Sequence, residues 1–267
     1  MQDVNSKQII SIKSNLEKLY TRIDNSCTKA GRSLKEILLV AVTKTVSVEN
    51  IFAGIDAGIK VIGENRVQEA LEKYSVIGNK ARPAPFDKES SDRQNILKPN
   101  ITDLDKRRRV EWHLVGHLQT NKVKKALEIF TMIQSLDSLH LAREIEKKAT
   151  IINKTIPVLI EVNTSQEETK FGIQSSQLFD LIKDMLNLPH LKISGLMTIG
   201  PGLAIENKEK SRPCFRLLYE LRHKAETEFG IKLPFLSMGM SSDFEVAIEE
   251  GSNMIRVGTA IFGSRPK

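Results

Sequence analysis

A lysine ends one of the most apolar runs in the chain. ILLVAVTK, residues 37–44, is continuous and hydrophobic until it stops at Lys44. Lysine is rarely buried without a partner, so Lys44 is either the first solvated residue of a loop or a reactive group. In an apolar interior its pKa falls, and the neutral amine is a nucleophile toward aldehydes. Arg256, within NMIRVGTAIFG (253–263), raises a similar question. Side chains alternate along a strand, so Met254, Arg256 and Gly258 share one face while Ile255 and Val257 share the other. The β-branched pair suits packing under helices, which turns Arg256 inward. A buried guanidinium needs an acceptor, either a structural carboxylate or a ligand. A third group consists of small and hydroxyl residues. SMGMS (237–241) and GTAIFG (258–263) put glycines, Ser241 and Thr259 just after apolar runs. Glycine permits close backbone approach, and backbone N–H groups there can hold phosphate. Gly and Ser are also ordinary turn residues.

These residues need a scaffold that brings them together. Eight apolar segments alternate with amphipathic ones: 37–44, 60–65, 111–116, 131–137, 156–163, 192–200, 234–241 and 253–263. Continuous apolar strands separated by helices indicate a parallel sheet covered on both faces. Eight is the number that closes a (β/α)8 TIM barrel, although an open doubly wound sheet has the same periodicity. Val48, Ile51, Phe52 and Ile55 lie at helical spacing, with Ser47 as cap and Gly58 as stop. Residues 178–186 and 212–229 repeat the pattern, and Asp243 reads as the cap of DFEVAIEE. The first 30 or so residues add a helix, with Ile9, Ile12, Leu16, Leu19 and Ile23 on one stripe. In a barrel, reactive groups sit where strands end. Lys44, Glu64, Asn65, Asn163 and Ser241 all fall at such ends.

Composition narrows the function. The formal charge is +7 over 267 residues, which favours phosphate-bearing partners only loosely. Cys27 and Cys214 have no metal or disulfide spacing and read as free thiols of a reducing compartment. The start MQDVNSKQIISIKSN lacks a secretory pattern, and no apolar run is long enough to span a bilayer. A cytoplasmic protein with no membrane contact is expected, a mitochondrial pool not being excluded. Residues 79–109, with Pro83, Pro85, Pro99 and many charges, read as a mobile surface insertion in one domain spanning 1–267. KRRR (106–109) lies inside it without interleaved aromatics, so it reads as a solvated cluster and not a nucleic-acid site. His113 and His117 lack the partners of a metal site, and a structural role is expected for His113.

A nucleophilic lysine, a phosphate cradle and an inward arginine are the parts of a pyridoxal phosphate site. They also suit a Schiff-base aldolase acting on a sugar phosphate. The ordered motifs AVTKT, GENRVQE, EWHLVGHLQTNK, IEVNTSQEETKFGI, SGLMTIG, LSMGMSSDFEVAIEEGS and IRVGTAIFG decide between these. Over about residues 35–265, insertion excluded, the chain resembles the pyridoxal phosphate homeostasis proteins (the YggS/PROSC group). The resemblance implies a single barrel like the N-terminal domain of alanine racemase, with pyridoxal 5'-phosphate (PLP) as a Schiff base on Lys44. It also implies that Arg256 faces the pyridine nitrogen and that Ser237, Ser241, Gly258 and Thr259 hold the phosphate. Asn65 and Met197 are expected beside the ring. An arginine there disfavours ring protonation, and the racemases' second base comes from a C-terminal domain of which no counterpart is expected here. The implied role is a PLP carrier in vitamin B6 homeostasis without established turnover, supplying apo PLP-dependent enzymes, as a monomer. A weak PLP-dependent racemase or decarboxylase is the alternative. The sequence departs from the family at Arg66, where many members carry tyrosine, and in the long insertion.

Overall fold

The computed structural model describes residues 2–77, 110–165, 167, 170–202 and 206–263. The expected insertion at 79–109, with its basic run, lies outside these residues.

Among the described residues nine strands follow in chain order: β1 (Leu38–Val42), β2 (Val61–Glu64), β3 (Glu111–Leu114), β4 (Met132–Leu136), β5 (Ile156–Asn163), β6 (Ile173–Gln174), β7 (Leu191–Met197), β8 (Phe235–Ser237) and β9 (Met254–Val257). All pairings are parallel, in the order β4-β3-β2-β1-β9-β8-β7-β5-β6, and a further β4–β5 pairing closes the ring. The eight long segments read from the sequence are the eight staves of a closed α/β barrel. The two-residue β6 was not among them, and it pairs only with the end of β5.

Alternation sorts the strand residues into two clusters. Val40, Val61, Val115, Met132, Leu159, Met197 and Met254 fill the interior. Ala41, Ile62, Trp112, Leu114, Ile133, Val158, Ile160, Ile255 and Val257 point outward under the helices. β7 keeps this arrangement only through a bulge. Leu191 and Ile193 join the outer cluster, so strict alternation would send Met197 outward too. The register against β5 slips between Val158 and Leu159, at Gly195. A Cβ at Gly195 (φ +154°) would sit 1.9 Å from the Phe235 carbonyl oxygen, so only glycine fits. Past the bulge the phase is reversed: Leu196 faces out and Met197 faces in.

Helices cover the ring: α1 (Gln2–Lys29), α2 (Val48–Asp56), α3 (Val67–Ile77), α4 (Val123–Ile129), α5 (Leu139–Ile151), α6 (Leu178–Met185), α7 (Arg212–Phe229), α8 (Phe244–Glu249) and α9 (Thr259–Phe262). Ser47 caps α2 through Asn50 N, and Gly230 (φ +62°) closes α7, as the sequence suggests. The α1 helix buries Ile12, Leu16, Leu19 and Ile23 against α2, α8 and α9. Its polar side chains tie it to α8 and α9, the helices after β8 and β9. Asn15 Nδ2 donates to the Ile261 carbonyl at 3.0 Å, and Arg22 pairs with Glu245 at 2.6 Å. Just beyond the helix, Arg32 Nη1 donates to the Ile248 and Ser252 carbonyls. Cys27 and Cys214 are both buried free thiols.

Candidate cofactor site at the barrel mouth

Parallel strands bring every strand-end residue to one end of the barrel. Lys44 lies two residues past the end of β1, in a turn, and is half-buried. Asn65 follows β2, Asn163 ends β5, Met197 ends β7 and Ser237 ends β8. Gly258 and Thr259 follow β9, and Ser241 lies in the loop after β8. β9 is hydrogen-bonded beside β1, with Ala41 opposite Val257, so the Gly258 turn lies against the strand that leads to Lys44. A Cβ on Gly258 would stand 2.9 Å from the Val42 carbonyl oxygen.

Arg256 is turned inward and buried, as alternation requires. Its acceptors are neutral oxygens: Nη1 donates to Ser237 Oγ at 2.6 Å and Nη2 to the Thr198 carbonyl at 2.7 Å. The bonds continue across the interior. Ser237 Oγ donates to Gln134 Oε1 at 2.7 Å, and Gln134 Nε2 meets His113 Nδ1 at 2.9 Å. The other ring nitrogen of His113, Nε2, lies 3.5 Å from Glu111. Thr198 is fixed in turn, its hydroxyl donating to the Val162 carbonyl and bonding Thr164. Arg256 is therefore held rigidly from two sides. Burial lowers its pKa to about 10, against the opposing charges of Glu161 and Asp243, and it stays cationic at neutral pH.

Glu161 shares the interior. It is 3% exposed on β5, and burial pushes its carboxyl up to about 7, with the Arg256 charge opposing and Asp137 adding to the rise. A carboxyl whose folded pKa exceeds its ordinary 4.5 stabilises the fold below that value and loses this contribution as pH rises through about 7. The change amounts to about 3 kcal/mol. Glu161→Gln should therefore flatten the stability profile: the melting temperature of the wild type falls relative to the variant between pH 5 and pH 8. Parallel profiles would count against this assignment.

The two loops expected to hold phosphate are tied together, Ala260 N donating to Ser241 Oγ at 3.4 Å. Gly239 takes φ +94°, and a Cβ there would come within 2.6 Å of Ala247 Cβ. Asp243 stands at the N-cap of α8 but does not cap it. Its Oδ1 accepts from Met240 N at 2.7 Å and its Oδ2 from Ser211 Oγ at 2.8 Å, so it shapes the loop instead. Ser237 differs from the other expected phosphate ligands, because it is a strand residue whose hydroxyl is engaged on both sides. His117 pairs with Asp137 at 2.7 Å and stacks on the exposed Phe171 with ring centroids 4.5 Å apart. Among the described residues no group of His, Cys, Asp and Glu could hold a metal.

The sequence reading missed Gln134, Glu161 and Thr198. The alternation rule that turned Arg256 inward also selects Gln134 beside Met132, and Glu161 between Leu159 and Asn163.

Comparison with known proteins fits this geometry. The sequence pattern of the family described as "Alanine racemase, N-terminal domain" matches residues 14–266. A pyridoxal phosphate homeostasis protein of Aquifex aeolicus is 44% identical over 250 residues, spanning 94% of this chain and 96% of the relative. The structure of PipY from Synechococcus elongatus PCC7942 with PLP bound superposes with a TM-score of 0.73 at 28% identity, over 94% of this chain and 100% of that one. Alanine racemase of Clostridium difficile 630 shares the fold, with a TM-score of 0.65 at 16% identity over 96% of this chain and 57% of the racemase. A closed parallel barrel, an arginine locked inside it and near full-length similarity lead to one conclusion: the chain belongs to the pyridoxal phosphate homeostasis protein family, built on the alanine racemase N-terminal domain.

Proposed function

We propose that this chain holds PLP as a Schiff base on Lys44 and serves in PLP homeostasis, buffering the cofactor and supplying it to apo PLP-dependent enzymes. The observation that supports this most is Arg256. A fixed cation inside the barrel, held by neutral oxygens just below the mouth where Lys44 and the two glycine-bearing loops emerge, suits a flat ring with a phosphate at one end. The residues fit the group. Bound PLP would supply an aldehyde carbon as the electrophile for the Lys44 amine.

The remaining work falls to the protein. The N–H groups of Gly258 and Thr259, with the hydroxyls of Ser241 and Thr259, would hold the phosphate. A Ser237 contact to phosphate would replace its bond to Gln134. Asn65 and Met197 would flank the ring. Arg256, already fixed by Ser237 and Thr198, would face the ring nitrogen. A guanidinium that stays charged does not give up a proton, and its positive charge disfavours protonation of that nitrogen. This weakens the ring as an electron sink and favours holding over turnover. Action as a monomer in the cytoplasm completes the proposal. Among the described residues no helix is long and apolar enough to cross a membrane.

Titration of cofactor-free protein with PLP, followed by absorbance, tests the reading. One equivalent is expected to saturate with a band distinct from free PLP, and pyridoxal without phosphate is expected to bind far more weakly. Absence of a saturable band would refute it. Gly258→Ala should weaken PLP by about tenfold or more, ~1.4 kcal/mol, because the new methyl meets the Val42 carbonyl and displaces the turn.

A further inference from the structure

A second lysine lies buried directly behind Lys44. Lys73, on α3, is 7% exposed. Its Nζ donates to Glu64 Oε1 at 2.8 Å, to Glu69 Oε1 at 2.6 Å and to the Thr43 carbonyl at 2.6 Å. Glu64 Oε1 also accepts from Thr43 Oγ1 at 2.6 Å, and Glu69 Oε1 accepts from Thr45 N at 2.5 Å. Both peptide groups that flank Lys44, the carbonyl before it and the N–H after it, thus end on one cluster of three charged side chains.

The cluster is costly to assemble. Glu64 is fully buried, its Oε2 has no hydrogen-bond partner, and burial raises its carboxyl above the ordinary range despite the bonds from Lys73 and Thr43. Two carboxylates against one ammonium is not an arrangement a fold adopts for stability alone, since buried ion pairs are poor stabilisers. The backbone it holds is strained as well. Thr45 has φ +63°, a region a β-branched residue enters only when its surroundings impose it. The only other non-glycine residue with positive φ among those described is Asn153 (φ +48°), a residue type that tolerates that conformation. Strain, burial and an uncompensated carboxylate oxygen all meet at the turn that carries Lys44.

We propose that Lys73, Glu64 and Glu69 are positioning residues for Lys44, forming a clamp on the outer side of β1 and β2 that fixes the lysine's backbone so that its amine enters the barrel in one orientation. The inference rests on the reading of Lys44 as the lysine that bonds the cofactor. The clamp touches neither the ring nor the phosphate loops, so its effect is on how fast Lys44 reacts and not on how the phosphate is held.

Glu69→Ala removes the acceptor for Thr45 N, while Glu69→Gln keeps an oxygen in its place. Two readouts apply: hydrogen exchange of the Thr45 amide in cofactor-free protein, and the rate at which PLP becomes fixed to protein by borohydride. Glu69→Ala is expected to exchange Thr45 faster and to slow fixation roughly 10- to 100-fold, with phosphate-dependent binding retained and with Glu69→Gln restoring most of the rate. If Glu69→Ala does not fold, the charge-free pair Glu64→Gln/Lys73→Met replaces it and is read in the same way, through release of the Thr43 carbonyl. Wild-type protein that fixes PLP elsewhere than on Lys44 would overturn the reading of Lys44 and the clamp with it. Fixation on Lys44 in wild type, with a folded variant that reacts at the wild-type rate, would overturn the clamp alone.

Discussion

Lys73→Met should destabilise the protein by about 3–5 kcal/mol at neutral pH, since removing one partner of a buried pair strands the other. Glu64 would be left fully buried with neither oxygen facing a cation, and the Thr43 carbonyl and Glu69 would each lose a donor bond. For a chain of this size, the loss corresponds to a fall in melting temperature of roughly 10 °C. The pH dependence identifies the cause. Glu64 already has a raised pKa from burial, and without Lys73 it rises further. A carboxyl of this kind stabilises at low pH and stops doing so as pH rises through its folded pKa, so the defect shrinks at pH 5 and grows at pH 8. Adding Glu64→Gln to Lys73→Met removes the stranded charge and is expected to recover a large part of the loss, a coupling that a double-mutant cycle measures. A small, pH-independent effect of Lys73→Met would contradict the role assigned to this cluster.

The second large effect concerns Lys44 itself. Lys44→Ala should abolish the covalent attachment of PLP while leaving the fold intact, since Lys44 is half-buried in a turn past the end of β1. Reversible binding through Arg256 and the loops after β8 and β9 should persist, weakened by about 100-fold or more, ~3 kcal/mol. Equilibrium dialysis with PLP separates these contributions. Retention of the wild-type absorption band by Lys44→Ala would mean that another amine carries the cofactor. Complete loss of binding, with the fold preserved, would mean that Arg256 and the loops add little without the lysine.

The barrel was legible because its physics is periodic. Each of the eight long strands is a short apolar run, and alternation within NMIRVGT correctly turned Arg256 inward between outward Ile255 and Val257. The end-of-strand rule gathered Lys44, Asn65, Ser241, Gly258 and Thr259 at one mouth without knowledge of the tertiary structure. Two kinds of information were not local. The bulge that turns Met197 inward depends on Gly195 meeting the Phe235 carbonyl, a contact between residues far apart in the chain. The clamp depends on α3 folding back so that Lys73 reaches two carboxylates and a backbone carbonyl around Thr43 and Lys44. Lys73 and Glu69 form an i,i+4 pair on α3, and in the fold Lys73 is buried while Glu69 stays partly exposed. The acceptor of Arg256 was open between a carboxylate and a ligand. The fold uses a serine hydroxyl and a backbone carbonyl, with Glu161 nearby as charge only.

The central claim, that Lys44 carries the cofactor, is tested most directly by saturating the protein with PLP, reducing with borohydride and locating the modified peptide by mass spectrometry. The account predicts one pyridoxyl group per chain, on the peptide containing AVTKT at Lys44. A modification elsewhere, on Lys73 or a surface lysine, or none at all, would contradict it.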